Sequence, residues 1–105
     1  MVKFLIISDM SKRNLYFDIS SNLASSKIEN EIIVLNIDSG KYLQIKGSGV
    51  FIWELIQEGK KSEKDILKKL IDVFDEDEVV LENDLNIFLN DAIEKGLLNE
   101  VIKNR

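Results

Sequence analysis

The chain has 105 residues and a net charge of −5, and it contains no cysteine, histidine or proline. Disulfides, thiolate metal sites and histidine-mediated proton transfer are therefore excluded. Because 45% of the residues are hydrophobic, the chain can form one core, and we assign residues 1–105 to a single domain. The negative charge opposes binding to nucleic acid or anionic lipid and favours a neutral or basic partner. The alternative is that this charge only keeps a small domain soluble.

The N-terminus contains a short apolar, β-prone run. Phe4 to Ile7 is too short for a signal-peptide core or a membrane span, so we expect a cytoplasmic protein. Val2–Ile7 is predicted to form a strand, and its role is left open. One role is to cover the outer face of the sheet. The other is to occupy a sheet edge, which would block this chain's own edge or, on a neighbour, convert the monomer into a strand-exchanged dimer.

Extended segments fill the rest of the first half. Residues 15–19 and 23–28 are predicted strands, and residues 31–37 form a stronger one because β-branched side chains dominate it. Four consecutive apolar residues, 32–35, predict that both faces of this strand are at least partly covered.

A hairpin follows this strand. Asp38-Ser39-Gly40 is a tight turn in which Gly40 suits the left-handed position. Residues 41–46 then alternate between two faces of a half-exposed strand. Leu43 and Ile45 lie on one face; the other face carries Tyr42, Gln44 and Lys46.

Three helices are predicted in the second half. The first helix is apolar nearly all round, so we expect it to be central and buried. Ser48 is expected to cap its start, and Gly59 to end it. Ser62 is expected to cap the second, whose outer face carries lysines. The acidic residues 75–78 lead into the third, which Gly96 stops. A small antiparallel sheet of about three strands followed by three α-helices indicates an α+β, winged helix-turn-helix-like fold.

No constellation of catalytic residues is present. The acidic run 75–78 lacks the spaced ligands and central glycine of a calcium loop. Gly47-Ser48-Gly49 is not a phosphate loop, since no lysine follows at the required place. We therefore expect no enzyme activity, no metal and no cofactor. The alternatives left open are a generic protein-interaction domain and a winged-helix DNA-binding regulator.

DNA binding is disfavoured by the charge of the third helix. Residues 79–95 contain four acidic side chains against a lone Lys95. Such a surface repels phosphates where a recognition helix would have to enter the major groove. We therefore expect no nucleic acid partner.

The hairpin and the helices together carry a family resemblance. The matching elements are Val34-Leu35-Asn36, Asp38-Ser39-Gly40-Lys41-Tyr42, Ile45, Ser48-Gly49, Ile52-Trp53-Glu54-Leu55, Asp84-Leu85, Phe88-Leu89, Ile93 and Gly96-Leu97-Leu98. From about Tyr16 to Leu98, the chain resembles the PqqD-like family. Lys46 and Gly47 depart from it, because the family often has Asn there, followed by an acidic residue or Pro. Residues 1–15 have no counterpart and are treated as an N-terminal extension.

The resemblance implies a non-catalytic recognition element, or peptide chaperone, of natural product biosynthesis. Such domains bind the leader peptide of a ribosomally made precursor. They present it to a peptide-modifying enzyme, such as a radical SAM enzyme or, in lasso peptide pathways, a leader peptidase. The short chain is similar to the stand-alone form of these domains.

The residues themselves suggest how a leader would bind. A free edge strand beside a helix can accept a peptide as an additional antiparallel strand. Main-chain bonds contribute about 1 kcal/mol each, and burial of two large apolar anchors would add roughly 3–6 kcal/mol. Asp84 would accept a hydrogen bond from the leader or pair with it. The predicted peptide-binding residues are Lys41, Tyr42, Leu43, Gln44, Ile45, Lys46, Leu81, Asp84, Leu85 and Phe88. The alternative is that the apolar members are ordinary core and Asp84 an exposed helix residue.

Overall fold

The computed structural model describes residues 15–102, so the predicted strand Val2–Ile7 lies outside the described residues. Six strands and three helices occupy this range. The strands are β1 (Leu15–Ile19), β2 (Leu23–Ile28), β3 (Glu31–Asn36), β4 (Tyr42–Ile45), β5 (Lys61–Ser62) and β6 (Leu98–Ile102). The helices are α1 (Ser48–Gln57), α2 (Glu63–Val73) and α3 (Glu78–Glu94). The predicted α+β, winged helix-turn-helix-like fold is confirmed.

The strands form two antiparallel sheets of three strands each, in the orders β2-β3-β4 and β5-β1-β6. The first sheet contains the predicted hairpin, with Val34 opposite Leu43 and Ile32 opposite Ile45. The second sheet was not predicted. It pairs β1 with the two-residue β5 and with the C-terminal β6. It thereby ties the start of the described chain to its end.

The core is built around α1, as its nearly continuous apolar surface predicts. Ile52, Trp53 and Ile56 are each 1% exposed. Ile66 and Leu70 of α2 pack into the same cluster, as do four residues of α3: Leu81, Leu85, Leu89 and Ala92. Burial of these side chains drives the helices onto one face of each sheet.

The helix ends are partly as predicted. Ser62 caps α2, because its Oγ accepts a hydrogen bond from the Asp65 main-chain N–H at 3.1 Å. The predicted Ser48 cap is wrong: Gly47 is the N-cap residue of α1, and no side chain of residues 15–102 caps this helix. A tight turn replaces the cap, since Gly49 N donates to Lys46 O and Val50 N donates to Gly47 O.

The two faces of β3 differ more than predicted. Ile32 and Val34 are buried beneath the helices, but Ile33 on the opposite face is 42% exposed. Within residues 15–102 the outer face of the β2-β3-β4 sheet is thus open. We predicted above that the N-terminal segment could cover this face, but that segment lies outside the described residues.

Candidate functional site

β4 is an edge strand. Within the described residues it pairs with β3 alone, and its other side carries no strand. An exposed edge leaves main-chain N–H and C=O groups without ladder partners, so a further strand can add to it.

Two hydrogen bonds establish which residues of β4 face outward. Asn36 N donates to Lys41 O at 2.8 Å, and Ile37 N donates to Asn22 O at 3.2 Å. Even-numbered residues of β3 therefore bond towards β4, and odd-numbered ones towards β2, because the direction alternates along a strand. The partners of Val34 and Ile32 are Leu43 and Ile45, whose main chains face β3. The main chains of Tyr42 and Gln44 consequently face the open edge.

Beside this edge lies a cavity of about 250 Å³ between β4, the start of α1 and α3. We call it the groove. Its lining residues are Leu43, Gln44, Ile45, Lys46, Ser48, Gly49, Asp84, Ile87, Phe88 and Asp91. Its apolar floor and its position along the open edge of β4 fit an extended peptide with apolar side chains.

The structure places the predicted residues in three settings. Leu43, Ile45 and Phe88 face inward and give the groove its apolar surface. Tyr42 is 62% exposed, and its side chain lies on the outer face of the sheet with that of Gln44. The Gln44 side chain donates to Glu31 Oε1 at 2.7 Å, so this residue offers the groove its main chain. Lys41 precedes β4 and is exposed.

Leu81 and Leu85 do not line the groove. They are 2% and 0% exposed, and they hold α3 against the core from behind. Their helical spacing correctly predicted that Leu81 and Leu85 share one face of α3. That face packs against the core and does not face the groove.

Four lining residues were absent from the predicted set. Ile87 is 62% exposed and shares a helix face with Asp84 and Asp91, a spacing of three and four residues that is visible in the sequence. Ser48 and Gly49 line the groove from the first turn of α1.

Gly49 allows a close approach of three elements. A Cβ atom at this position would lie 3.0 Å from Ile45 Cγ2 and 3.3 Å from Phe88 Cδ1. Both distances are shorter than ordinary van der Waals contact. The absence of a side chain therefore lets α1, β4 and α3 meet at the groove floor.

The charged groups of the groove are mostly acidic. Asp91 pairs with Lys95 at 2.5 Å, and this hydrogen bond raises the pKa of Lys95. Asp84 has no ion-pair partner within residues 15–102. Residues 75–94 of the sequence contain eight acidic residues and no basic one, so α3 presents mainly negative charge to the groove, whereas Lys46 brings a positive charge on the β4 side.

Residues 15–102 contain no group of three or more side chains suited to hold a metal ion. Nor does this range hold a helix that is long and apolar enough to cross a membrane.

The geometry defines a winged-helix-like domain with an open strand edge, and comparison with known proteins specifies the family. Residues 31–98 match the family described as "Coenzyme PQQ synthesis protein D (PqqD)". The chain belongs to the PqqD family, which confirms the resemblance inferred from the sequence.

Two solved structures are similar to this chain. The structure titled "TbiB1 in Complex with the TbiA(beta) Leader Peptide" is 30% identical, with a TM-score of 0.70, and the match covers 78% of this chain and 94% of that one. The second, "Lasso peptide synthetase B1 complexed with the leader peptide", is 18% identical, with a TM-score of 0.67 and coverage of 79% and 96%. The second likeness shows the fold alone. No curated protein matches the chain.

Proposed function

We propose that this domain binds the leader segment of a ribosomally synthesised precursor peptide, which adds to β4 as an antiparallel strand. The observation that carries the proposal is the outward-facing main chain of Tyr42 and Gln44 beside the groove. The similarity to TbiB1, whose structure contains a leader peptide, independently supports the leader as the bound partner.

Two kinds of contact would hold the peptide. The outward N–H and C=O groups of β4 would supply main-chain hydrogen bonds of about 1 kcal/mol each. Ordering a flexible peptide costs about 2–5 kcal/mol or more, so apolar anchors are needed as well. Leu43, Phe88 and Ile87 offer the surface for them, and Asp84 offers a carboxylate to a donor or a cation on the leader.

The proposed role is recognition without catalysis. The domain would hold the leader while a separate peptide-modifying enzyme, such as a radical SAM enzyme or a lasso-type leader peptidase, acts on the rest of the precursor. A cytoplasmic location belongs to this proposal. The mass of a precursor incubated with the domain alone should therefore stay unchanged in mass spectrometry. A processed product would contradict the non-catalytic role.

Calorimetric titration tests the binding directly. The chain is titrated with the leader of a precursor encoded beside its gene, with the TbiA(beta) leader, and with scrambled versions of both. We expect saturable binding of a native leader and none of its scrambled version. If neither of the two native leaders binds, the proposal is contradicted. A gel shift with random duplex DNA at low salt tests the alternative, and tight, salt-sensitive binding would favour a DNA-binding regulator.

The oligomeric state has its own test. Mass in solution is measured by light scattering before and after deletion of residues 1–14. A dimer that becomes a monomer on deletion would support strand exchange through the N-terminal segment. A monomer in both proteins would contradict it.

A further inference from the structure

The side chain of Asn36 forms four hydrogen bonds to main-chain groups. Its Nδ2 donates to Lys95 O at 3.3 Å and to Gly96 O at 3.2 Å. Its Oδ1 accepts from Asp38 N at 3.0 Å and from Ser39 N at 3.2 Å. We call this arrangement the Asn36 clamp, because it joins the β3–β4 turn to the C-terminal end of α3.

Gly96 has the backbone conformation and the lack of a side chain that the Asn36 clamp requires. Its φ of +73° is a left-handed conformation that favours glycine. A Cβ atom at this position would lie 2.5 Å from Asn36 Nδ2, which is closer than non-bonded atoms approach. Any other residue would displace the Asn36 amide from the carbonyls that it bonds.

The clamp connects the two walls of the groove. The turn that Asn36 bonds leads directly into β4, and the main-chain bond from Asn36 N to Lys41 O fixes the first residue before it. At the other end of the clamp, the last turns of α3 carry Ile87 and Asp91, which line the groove. Asn36 itself does not line the groove, so it would act on a bound peptide only through these two walls.

We propose that Asn36 is a positioning residue for peptide binding, which holds α3 at a fixed distance from β4 so that the groove is formed before the peptide arrives. This inference rests on the proposed function. A preformed groove removes the ordering cost that a loosely held helix would add to binding. The apparent affinity falls in proportion to the fraction of molecules whose groove is competent.

Asn36→Asp separates the two halves of the clamp. The carboxylate keeps acceptors for Asp38 N and Ser39 N, but it presents an oxygen instead of a donor to the carbonyls of Lys95 and Gly96, which follow α3. The turn should therefore persist while the link to α3 is lost. Ile66→Val is the matched control, because Ile66 is fully buried on α2 and lies outside the groove lining.

Affinity is measured by calorimetry with whichever native leader, adjacent or TbiA(beta), the unmodified chain binds, at a temperature where all variants are folded. We expect Asn36→Asp to raise Kd about tenfold, which corresponds to a competent groove in about one molecule in ten. Ile66→Val should leave Kd unchanged. Equal Kd values for Asn36→Asp and the unmodified chain would overturn the inference. If the unmodified chain binds no leader, the proposed function fails instead.

A double-mutant cycle with Ile87→Ala distinguishes positioning from general destabilisation. Ile87 is exposed on the α3 wall, so its truncation should leave the fold intact. If the clamp sets the position of this wall, Ile87→Ala should raise Kd by a smaller factor in the Asn36→Asp background than in the unmodified chain. Distant, independent sites give additive effects, and an additive cycle would overturn the inference.

Discussion

Gly96 and Asn36 illustrate how one backbone conformation supports a distant contact. Gly96 ends α3 in a left-handed conformation and leaves its own space free for the Asn36 amide. The two residues are sixty positions apart in sequence. Part of what each residue contributes to stability should therefore depend on the other.

Gly96→Ala should therefore destabilise the domain by two separable amounts. The left-handed conformation costs a residue with a Cβ about 1–2 kcal/mol, and each clamp hydrogen bond that is lost costs about 1 kcal/mol more. In an Asn36→Ala background only the first amount remains. Urea unfolding can be followed by the fluorescence of Trp53, the chain's only tryptophan, which is buried. Equal losses in both backgrounds would contradict the pairing.

Glu63, the first residue of α2, has an unfavourable environment. Partial burial raises its pKa above the ordinary value of 4.5, and the negative charge of Glu82 raises it further. The folded chain thus holds a proton on Glu63 more tightly than the unfolded chain does. Its contribution to the free energy of unfolding therefore falls as the pH rises from about 4.5 through the raised pKa.

Glu63→Gln should remove this pH dependence. We expect the variant to be more stable than the unmodified chain at pH 7, and the difference should shrink as the pH is lowered towards 4.5. Urea unfolding across this pH range measures it. Glu82→Gln should produce a smaller change in the same direction, because it removes only the second cause. A stability difference that stays constant with pH would contradict the assignment.

At the scale of elements, long periodic segments could be predicted and short ones could not. The apolar spacing of α2 and α3 and the alternation of residues 41–46 depend on many residues, and the structure has each of these elements where it was expected. β5 has two residues, too few to show any period. β6 is a strand because it pairs with β1, and pairing between segments far apart in sequence leaves no local signal.

The groove was predictable in position but not in detail. The alternation of residues 41–46 correctly placed Leu43 and Ile45 on the inner face of the sheet and the Gln44 side chain on the outer face. It gave no information about the direction of the Gln44 main chain. The role proposed for Gln44 at the edge belongs to its main chain, whose direction only the register with β3 reveals. Leu81 and Leu85 were indistinguishable in sequence from residues that line a groove, because core and groove are both apolar.

The direction of the β4 main chain gives a substitution that acts on the edge alone. Gln44→Pro removes an outward N–H and leaves the bonds to β3 in place, since proline is tolerated on an edge strand. Leu43→Pro would break the hairpin itself. We expect Gln44→Pro to raise Kd for the leader at least about fivefold, the equivalent of one hydrogen bond.

Gln44→Ala is the control for this prediction. It removes the same side chain, and with it the bond to Glu31, but it keeps the main-chain N–H. Calorimetry should show that its affinity equals that of the unmodified chain. If Gln44→Pro also binds normally, β4 is not the docking edge.

The charge of the whole molecule is unevenly distributed. Residues 75–94 carry eight acidic residues and no basic one, whereas the whole chain has a net charge of −5. The acidic segment includes the α3 wall of the groove, so the field near the groove should attract cationic peptides and slow the approach of anionic ones.

Leaders that differ only in the charge of residues flanking the apolar anchors should therefore bind at different rates. In stopped-flow measurements at low ionic strength, the more basic leader should associate faster. The difference should diminish as the Debye length falls from about 30 Å at 0.01 M to about 8 Å at 0.15 M salt. Equal association rates at low salt would contradict a role for this field.

Hydrogen exchange of single amides, resolved by NMR with and without bound leader, tests strand addition most directly. The Leu43 and Ile45 amides already face β3 and should be protected in both states. The Tyr42 and Gln44 amides face the open edge and should exchange rapidly in the free domain and slowly in the complex. If calorimetry shows binding while the Tyr42 and Gln44 amides still exchange rapidly, the peptide does not dock on β4.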